Sequence, residues 1–297
     1  VIFGSMTMSV CTVSGNTVTL LTSGTCTVTA NQAGNDNFNP APQVTTDISV
    51  DKANQTISGL AADPVSGVVD GSSSLSATAS SGLPVTFGSS TLGVCTVAGS
   101  TVSYLAAGTC TVTADQAGDD DYNAAPQVTL DITVAKADQV ITDFIATPAN
   151  GDVGDMPVLS ATGGASGNPV TFGSNTLSVC TVSGNTVTLL TSGTCTVTAD
   201  QAGNDDYNAA TQVTLDIGVA KADQTISGLA ADPAAGVVDG SSSLSATASS
   251  GLAVAFGSST PGVCTVAGST VSYLAAGTCT VTADQSGDKE SEINERN

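Results

Sequence analysis

The sequence predicts an all-β chain of tandem antiparallel β-sandwiches, and three observations carry the prediction. The eight cysteines stand at 11, 26, 95, 110, 180, 195, 264 and 279, so every pair is separated by 15 residues and successive pairs by 84, 85 and 84. A period of that length marks a domain-sized unit. Short Val-, Thr- and Ile-rich segments with period-two alternation fill the unit, with Gly, Ser, Asn, Asp and Pro clusters between them. No segment of ten residues or more has helical periodicity.

Within one unit the strand segments are QTISGL, SSLSATA, PVTFGS, VCTV, TVSYL, TCTVTA and QVTLDITV. Seven short strands in about 84 residues fit an antiparallel sandwich of the immunoglobulin type. The clusters AGS, AAG and DPVSGVVDG read as turns. Repetition of the unit then predicts a linear array.

The boundaries follow Lys52, Lys136 and Lys221, each opening a Lys-Ala-(Asn/Asp)-Gln string after a Val- and Ile-rich segment. They divide the chain into a partial repeat at 1–52 lacking its front half, full repeats at 53–136 and 137–221, a repeat at 222–287 lacking its last strand, and a non-repeat tail at 288–297. A longer period lies over the first. Residues 53–118 match 222–287 with seven differences, among them Asn54/Asp223, Pro84/Ala253 and Ala117/Ser286. The partial repeats are expected to mark an excerpt of a longer array. Alternatively, the repeat at 222–287 accepts a strand from another chain by edge addition.

Composition excludes several functions. Only 5 Lys and Arg stand against 26 Asp and Glu, giving a net charge of -21, and there is no His. Nucleic acid and anionic lipid demand the opposite sign. General acid/base and nucleophilic catalysis lack their usual side chains, so the chain reads as no enzyme. No apolar run of about 18 residues exists to insert into a membrane.

Aromatic residues are only 3% of the chain, so each core relies on aliphatic side chains and single rings such as Phe87, Phe172 and Phe256. A small core of that kind gains from a covalent staple. Pairing Cys11 with Cys26, Cys95 with Cys110, Cys180 with Cys195 and Cys264 with Cys279 closes four short loops, each worth about 3 kcal/mol in the chain-entropy model. It also implies an oxidising compartment. The alternative is buried free thiols. A zinc site would find two ligands per repeat instead of four.

The strings PVTFGS(S/N)T, VCTV(S/A)G(N/S)TV, L(T/A)(S/A)GTCTVTA(D/N)QAG and VAKA(D/N)QTI resemble bacterial Ig-like repeats of very large surface and secreted proteins. The resemblance covers residues 1–287. It implies extracellular or cell-surface tandem domains serving as stalk, spacer, fibre body or adhesive arm, with the cysteine pair carried at all eight positions. Three functions are weighed on that basis: a passive stalk, a binding module for a host or matrix glycan or protein, and an accessory arm of a secreted hydrolase. A binder should keep one chemically distinct loop, whereas here the loops repeat.

The densest polar cluster follows the second cysteine of each repeat. It holds Asp115, Asp119, Asp120, Asp121 and Asn123 in one repeat, Asp200, Asn204, Asp205, Asp206 and Asn208 in the next, and the weaker set Asn31, Asn35, Asp36, Asn37 and Asn39 in the first. Two readings are open. Carboxylate and amide oxygens in such number suit a hard cation such as Ca²⁺, with the seven Asp of the two richer loops as ligands. Alternatively these are turn residues whose short side chains cap their own backbone. No other cofactor is indicated.

Other polar features have plainer readings. Asp63, Asp70, Asp232 and Asp239 flank a turn and have no cleft to work in. Lys52, Lys136 and Lys221 are expected to pair with junction Asp residues instead of forming isopeptide bonds. Asn54-Gln55-Thr56 spells a sequon in one repeat only. The Thr-rich strands TCTVTA and TVTLLT are ordinary strand surface.

Overall fold

A computed structural model describes residues 1–287 and 291–293. The chain divides into two compact units, Val1–Asp138 with Asp205–Asn208, and Gln139–Asn204 with Ala209–Asn297. All regular elements among the described residues are strands.

In the first unit, residues 1–52 form β1 (Ile2–Ser5), β2 (Cys11–Ser14), β3 (Thr17–Leu20), β4 (Gly24–Gln32) and β5 (Ala41–Val50). They make a β1-β4-β5 sheet and a β2-β3 hairpin. Residues 53–136 form β6 (Ile57–Asp63), β7 (Gly67–Val68), β8 (Ser72–Ala79), β9 (Thr86–Ser89), β10 (Cys95–Ala98), β11 (Thr101–Tyr104), β12 (Gly108–Asp115) and β13 (Val128–Ala135). These build two four-stranded sheets, β10-β11-β8-β6 and β7-β13-β12-β9.

The alternation in the sequence explains the layering. Along β12 the side chains of Cys110, Val112 and Ala114 are all 0% exposed, while the intervening Thr109, Thr111 and Thr113 stand on the other face of the strand. Val69, Leu75, Val102, Tyr104, Ile132 and Val134 complete one core between the two sheets. Most of this core is aliphatic. Tyr104 is its largest side chain, and its hydroxyl is satisfied by Ser73 Oγ at 2.6 Å.

One element escapes sequence reading. The DPVSGVVDG segment, expected to be a turn, contributes β7, a two-residue strand that pairs in parallel with Val134 and Ala135 of β13. Two residues are too few to show a period. The partner residues, 67 positions further on, supply the hydrogen bonds that define it.

The second unit repeats the pattern. It contains β14 (Thr142–Thr147), β15 (Asn150–Asp152), β16 (Val158–Thr162), β17 (Val170–Ser174), β18 (Cys180–Ser183), β19 (Thr186–Leu189), β20 (Gly193–Gln201) and β21 (Val213–Ala220). Their sheets are β14-β16-β19-β18 and β15-β21-β20-β17. Next come β22 (Ala222–Gln224), β23 (Ile226–Asp232), β24 (Ser241–Ala248), β25 (Ala255–Ser258), β26 (Cys264–Ala267), β27 (Thr270–Tyr273), β28 (Val281–Asp284) and β29 (Ser291–Ile293). Here β23-β24-β27-β26 is four-stranded, whereas β25-β28 and β22-β29 are pairs. Of the tail, only the backbone of 291–293 lies within the described residues.

Three of the four cysteine pairs join two sheets. Cys95 lies on β10 and Cys110 on β12, bonded with Cα atoms 5.6 Å apart. The pairs 11–26 and 180–195 have the same arrangement, with Cα separations of 5.6 and 5.7 Å, and in the fourth pair Cys264 of β26 is bonded to Cys279, two residues before β28, at 5.7 Å. A Ser and a Thr surround the first sulfur of every pair: Ser89 Oγ is 3.3 Å and Thr91 Oγ1 3.6 Å from Cys95 Sγ. Thr91 Oγ1 also accepts the Thr111 N–H at 2.9 Å, which ties the turn before β10 to β12.

Candidate functional site: the acidic loop and the repeat joint

The Asp-rich loop between β12 and β13 is shaped by its own side chains. Asp119 Oδ1 accepts the N–H groups of Asp121 and Tyr122, both at 2.9 Å. This is an Asx turn. Gln116 Oε1 accepts Gly118 N–H at 2.6 Å. Gly118 has φ 77°, and a Cβ there would collide with the carbonyl of Tyr122. In the first repeat Asn35 replaces the turn Asp, and its Oδ1 accepts Asn37 and Phe38 N–H at 2.9 and 3.0 Å. The turn needs an acceptor oxygen and no charge.

So shaped, the loop closes on the linker that precedes its own sandwich. Ala53 N–H donates to Asp121 O at 2.8 Å and Asn123 N–H to Ala53 O at 2.9 Å. Ala53 is thereby bridged in parallel to Tyr122. Lys52 Nζ donates to the main-chain carbonyl of Asp119 at 2.5 Å, so the lysine pairs with the backbone of a junction Asp and not with its carboxylate. Asn123 Nδ2 donates to Asn54 Oδ1 at 3.0 Å.

Gln55 lies beneath this clasp. It is 3% exposed, its Nε2 donates to Gln116 Oε1 and, at 2.8 Å, to Asn123 O, and its Oε1 accepts Ser81 Oγ–H. A buried amide satisfied at both ends has one low-energy orientation. The Gln of the Lys-Ala-(Asn/Asp)-Gln string is therefore the inner anchor of the linker, a role its periodic position alone did not reveal.

The outer side of the loop reaches back to the preceding repeat. Asp121 Oδ1 accepts the Ser23 main-chain N–H at 2.6 Å, and Ser23 Oγ–H donates to the Asp120 carbonyl. Within the same unit the pattern recurs one period on. Asp206 Oδ1 accepts Ala107 N–H at 2.8 Å, Ala137 N–H donates to Asp206 O at 2.9 Å, and Asn208 N–H donates to Ala137 O at 2.8 Å. Tyr207 adds a bond of its own, its hydroxyl donating to Asp70 Oδ2 at 2.6 Å. That carboxylate holds the Tyr207 pKa above its ordinary value, chiefly through the hydrogen bond, with smaller contributions from desolvation and from the charges of Asp70 and Asp206.

Of the seven carboxylates named as cation ligands, those of Asp115, Asp119, Asp121, Asp200 and Asp206 are distributed over different protein donors. Asp115 and Asp200 accept the amides of Gln127 and Gln212 at 2.9 to 3.0 Å. Asp119 closes the turn, Asp121 and Asp206 hold main-chain amides, and Asp120 contributes its carbonyl. Among the described residues, no group of three or more acidic side chains is gathered as a metal cage. Asp70 has φ 66° and its copy Asp239 φ 64°. Asp70 serves the Tyr207 hydroxyl.

No family model matches the chain, and no curated protein matches it. Among solved structures the chain is similar to domains 1–6 of surface layer protein SbsC, with 17% identity and a TM-score of 0.26, over 94% of this chain and 43% of that one. It is also similar to Drosophila N-cadherin EC1-3, with 13% identity and a TM-score of 0.27 over 73% and 88%. The Escherichia coli adhesin FdeC gives 18% identity and a TM-score of 0.22 over 82% and 98%. The chain spans less than half of the SbsC structure it matches, and likeness at these scores carries no argument about function.

Proposed function

We propose that the chain is a non-catalytic structural repeat region of a bacterial cell-surface or secreted protein, acting as a stalk, spacer or fibre body. The observation that carries this reading is the joint between residues 1–52 and 53–136. Its linker has no slack: Lys52, Ala53, Asn54 and Gln55 are each hydrogen-bonded to the acidic loop or its flanks, and that loop is bonded to Ser23. A connection bound along its length resists bending, whereas free linkers swivel.

Four disulfides favour an extracellular location. Net charge of -21 keeps neighbouring molecules apart and soluble. Neighbouring repeats are the partners this reading requires. An adhesive role for a glycan or protein receptor would call for one loop unlike the rest, and saturable binding on a glycan array would favour it.

Trypsin tests the stiff joint directly, because the only Lys and Arg residues in 1–287 are Lys52, Lys136 and Lys221. Cleavage after Lys52 should be slow in the native chain and fast once the chain is unfolded. Native cleavage at Lys52 as rapid as in the unfolded chain would overturn the reading.

A further inference from the structure

Two hydroxyl groups flank one sulfur of every disulfide, and hydrogen-bond accounting fixes which way they point. A bonded sulfur has no hydrogen to give, so in the 3.3 Å contact of Ser89 Oγ and the 3.6 Å contact of Thr91 Oγ1 with Cys95 Sγ the hydroxyls are the donors. Each oxygen is also held from behind. Ser89 Oγ accepts the Thr91 N–H at 3.1 Å, and Thr91 Oγ1 accepts the Thr111 N–H at 2.9 Å. A backbone amide therefore occupies each oxygen while its hydrogen is aimed at the sulfur.

The arrangement recurs at all four pairs. Ser5, Ser174 and Ser258 stand 3.3 Å from the sulfurs of Cys11, Cys180 and Cys264, and Thr7, Thr176 and Thr260 stand 3.6 to 3.7 Å from the same sulfurs. The amides of Thr27, Thr196 and Thr280 hold these Thr oxygens at 2.9 Å. Among the described residues, every such contact falls on the first cysteine of a pair and none on the second. The spacing Ser-x-Thr-x3-Cys carries it, because the turn from β9 into β10 folds both hydroxyls back on the cysteine, whose own N–H donates to Thr91 O at 3.0 Å.

A sulfur within a disulfide is a weak acceptor, so the two donors add little to the intact bond; a thiolate in the same place accepts both strongly. Cys95 and Cys110 are both 0% exposed, so burial does not separate them and the hydroxyls do.

We propose that the disulfides are chemically polar: in exchange with a thiol, the second cysteine of each pair is the sulfur attacked and the first leaves as the thiolate held by Ser and Thr. In the 53–136 sandwich the attacking thiolate bonds to Cys110 Sγ, the Cys95–Cys110 bond breaks, and its electron pair passes to Cys95 Sγ. The mixed disulfide then sits on Cys110. Reclosure is the reverse step, the Cys95 thiolate attacking Cys110 Sγ and displacing the sulfur of the partner. The donors lie within six residues of Cys95 in sequence, so they remain near it when the sheets part to admit the thiol.

The test uses the full chain, isotope-labelled at the cysteine Cβ and titrated by NMR. The free thiol is Cys95 in Cys110→Ala and Cys110 in Cys95→Ala. Cys95 should ionise at least about one pH unit below Cys110, as expected for two hydrogen bonds to the charged form, and adding Ser89→Ala to the Cys110→Ala chain should raise it. Should these variants not fold, the wild-type chain decides: it is exposed to glutathione with an alkylating trap, and the adducts are mapped by mass spectrometry. Glutathione should occupy Cys26, Cys110 and Cys195 at least about threefold more often than Cys11, Cys95 and Cys180, because the better leaving thiolate directs the attack. Ionisation of Cys95 at or above Cys110, or adducts divided evenly or favouring the first cysteines, would refute the proposal. The spacer reading rests on the joint at Ser23 and stands in either case.

Discussion

Asp121 Oδ1 accepts the main-chain N–H of Ser23 at 2.6 Å, a contact that spans 98 residues of sequence. Its counterpart one period on, Asp206 to Ala107 N–H at 2.8 Å, spans 99. The donor is a backbone amide in both, so the side chain at the donor position is free to vary between Ser and Ala while the acceptor remains Asp.

Removing that acceptor should loosen the joint without unfolding a sandwich. A partly exposed charge-assisted hydrogen bond contributes about 1 kcal/mol. Asp121→Ala is therefore expected to raise tryptic cleavage after Lys52 about fivefold, because cleavage tracks the population of the open joint. Melting of the 53–136 sandwich should change little, as calorimetry would show. Asp121→Asn, which keeps an acceptor oxygen, should lie between wild type and Ala.

The linker anchor should behave differently. Gln55→Ala removes the partner of Gln116 Oε1, Asn123 O and Ser81 Oγ in a nearly closed environment. Orphaned buried groups cost about 1 to 3 kcal/mol. Chemical denaturation should show the 53–136 transition shifted to lower denaturant, in contrast to Asp121→Ala.

Alkali should release the Tyr207 contact. Its pKa is raised in the folded chain, so the structure favours the protonated hydroxyl. That contribution is fully present below the ordinary tyrosine value of about 10 and is lost as pH climbs through the higher folded value. Titration of tyrosinate absorbance in the chain and in Tyr207→Phe should assign to Tyr207 a group that ionises above the ordinary tyrosine value. Asp70→Asn should bring Tyr207 back toward that ordinary value, since the hydrogen bond to the Asp70 carboxylate is the first cause of the shift.

The disulfides should resist reductant in the native state. Seven of the eight cysteines are 0% exposed, so thiolate attack requires the sandwich to open. Replacing Cys95 and Cys110 together by Ala should cost the 53–136 sandwich about 3 kcal/mol in the chain-entropy model. Intact mass in denaturant should rise by about eight hydrogens on reduction if all four bonds are present.

Calcium should alter the joint little. The carboxylates of Asp115, Asp119, Asp121 and Asp206 each hold a protein donor, and a cation would have to displace those donors before gathering oxygens from separate positions. Equal tryptic cleavage rates at Lys52 with calcium and with chelator are expected, and marked protection by calcium would favour a cation site there.

The sequence by itself determined the repeat, the strand class and the alternation of core and surface. Each of these is a local or periodic property: Cys110, Val112 and Ala114 point inward because side chains alternate along any strand. It also marked the loop at 116–123 as special through its density of Asp and Asn. The tertiary structure decided what that density does. A carboxylate in a sequence names no partner, and Asp121 finds Ser23, Asp70 finds Tyr207, and Gln55 finds Gln116 only after the sandwiches fold and bring positions 61 to 137 residues apart into contact. β7 was likewise hidden, because a two-residue strand takes its identity from β13 alone. Periodicity is written along the chain, whereas hydrogen-bond partners are assigned by the fold.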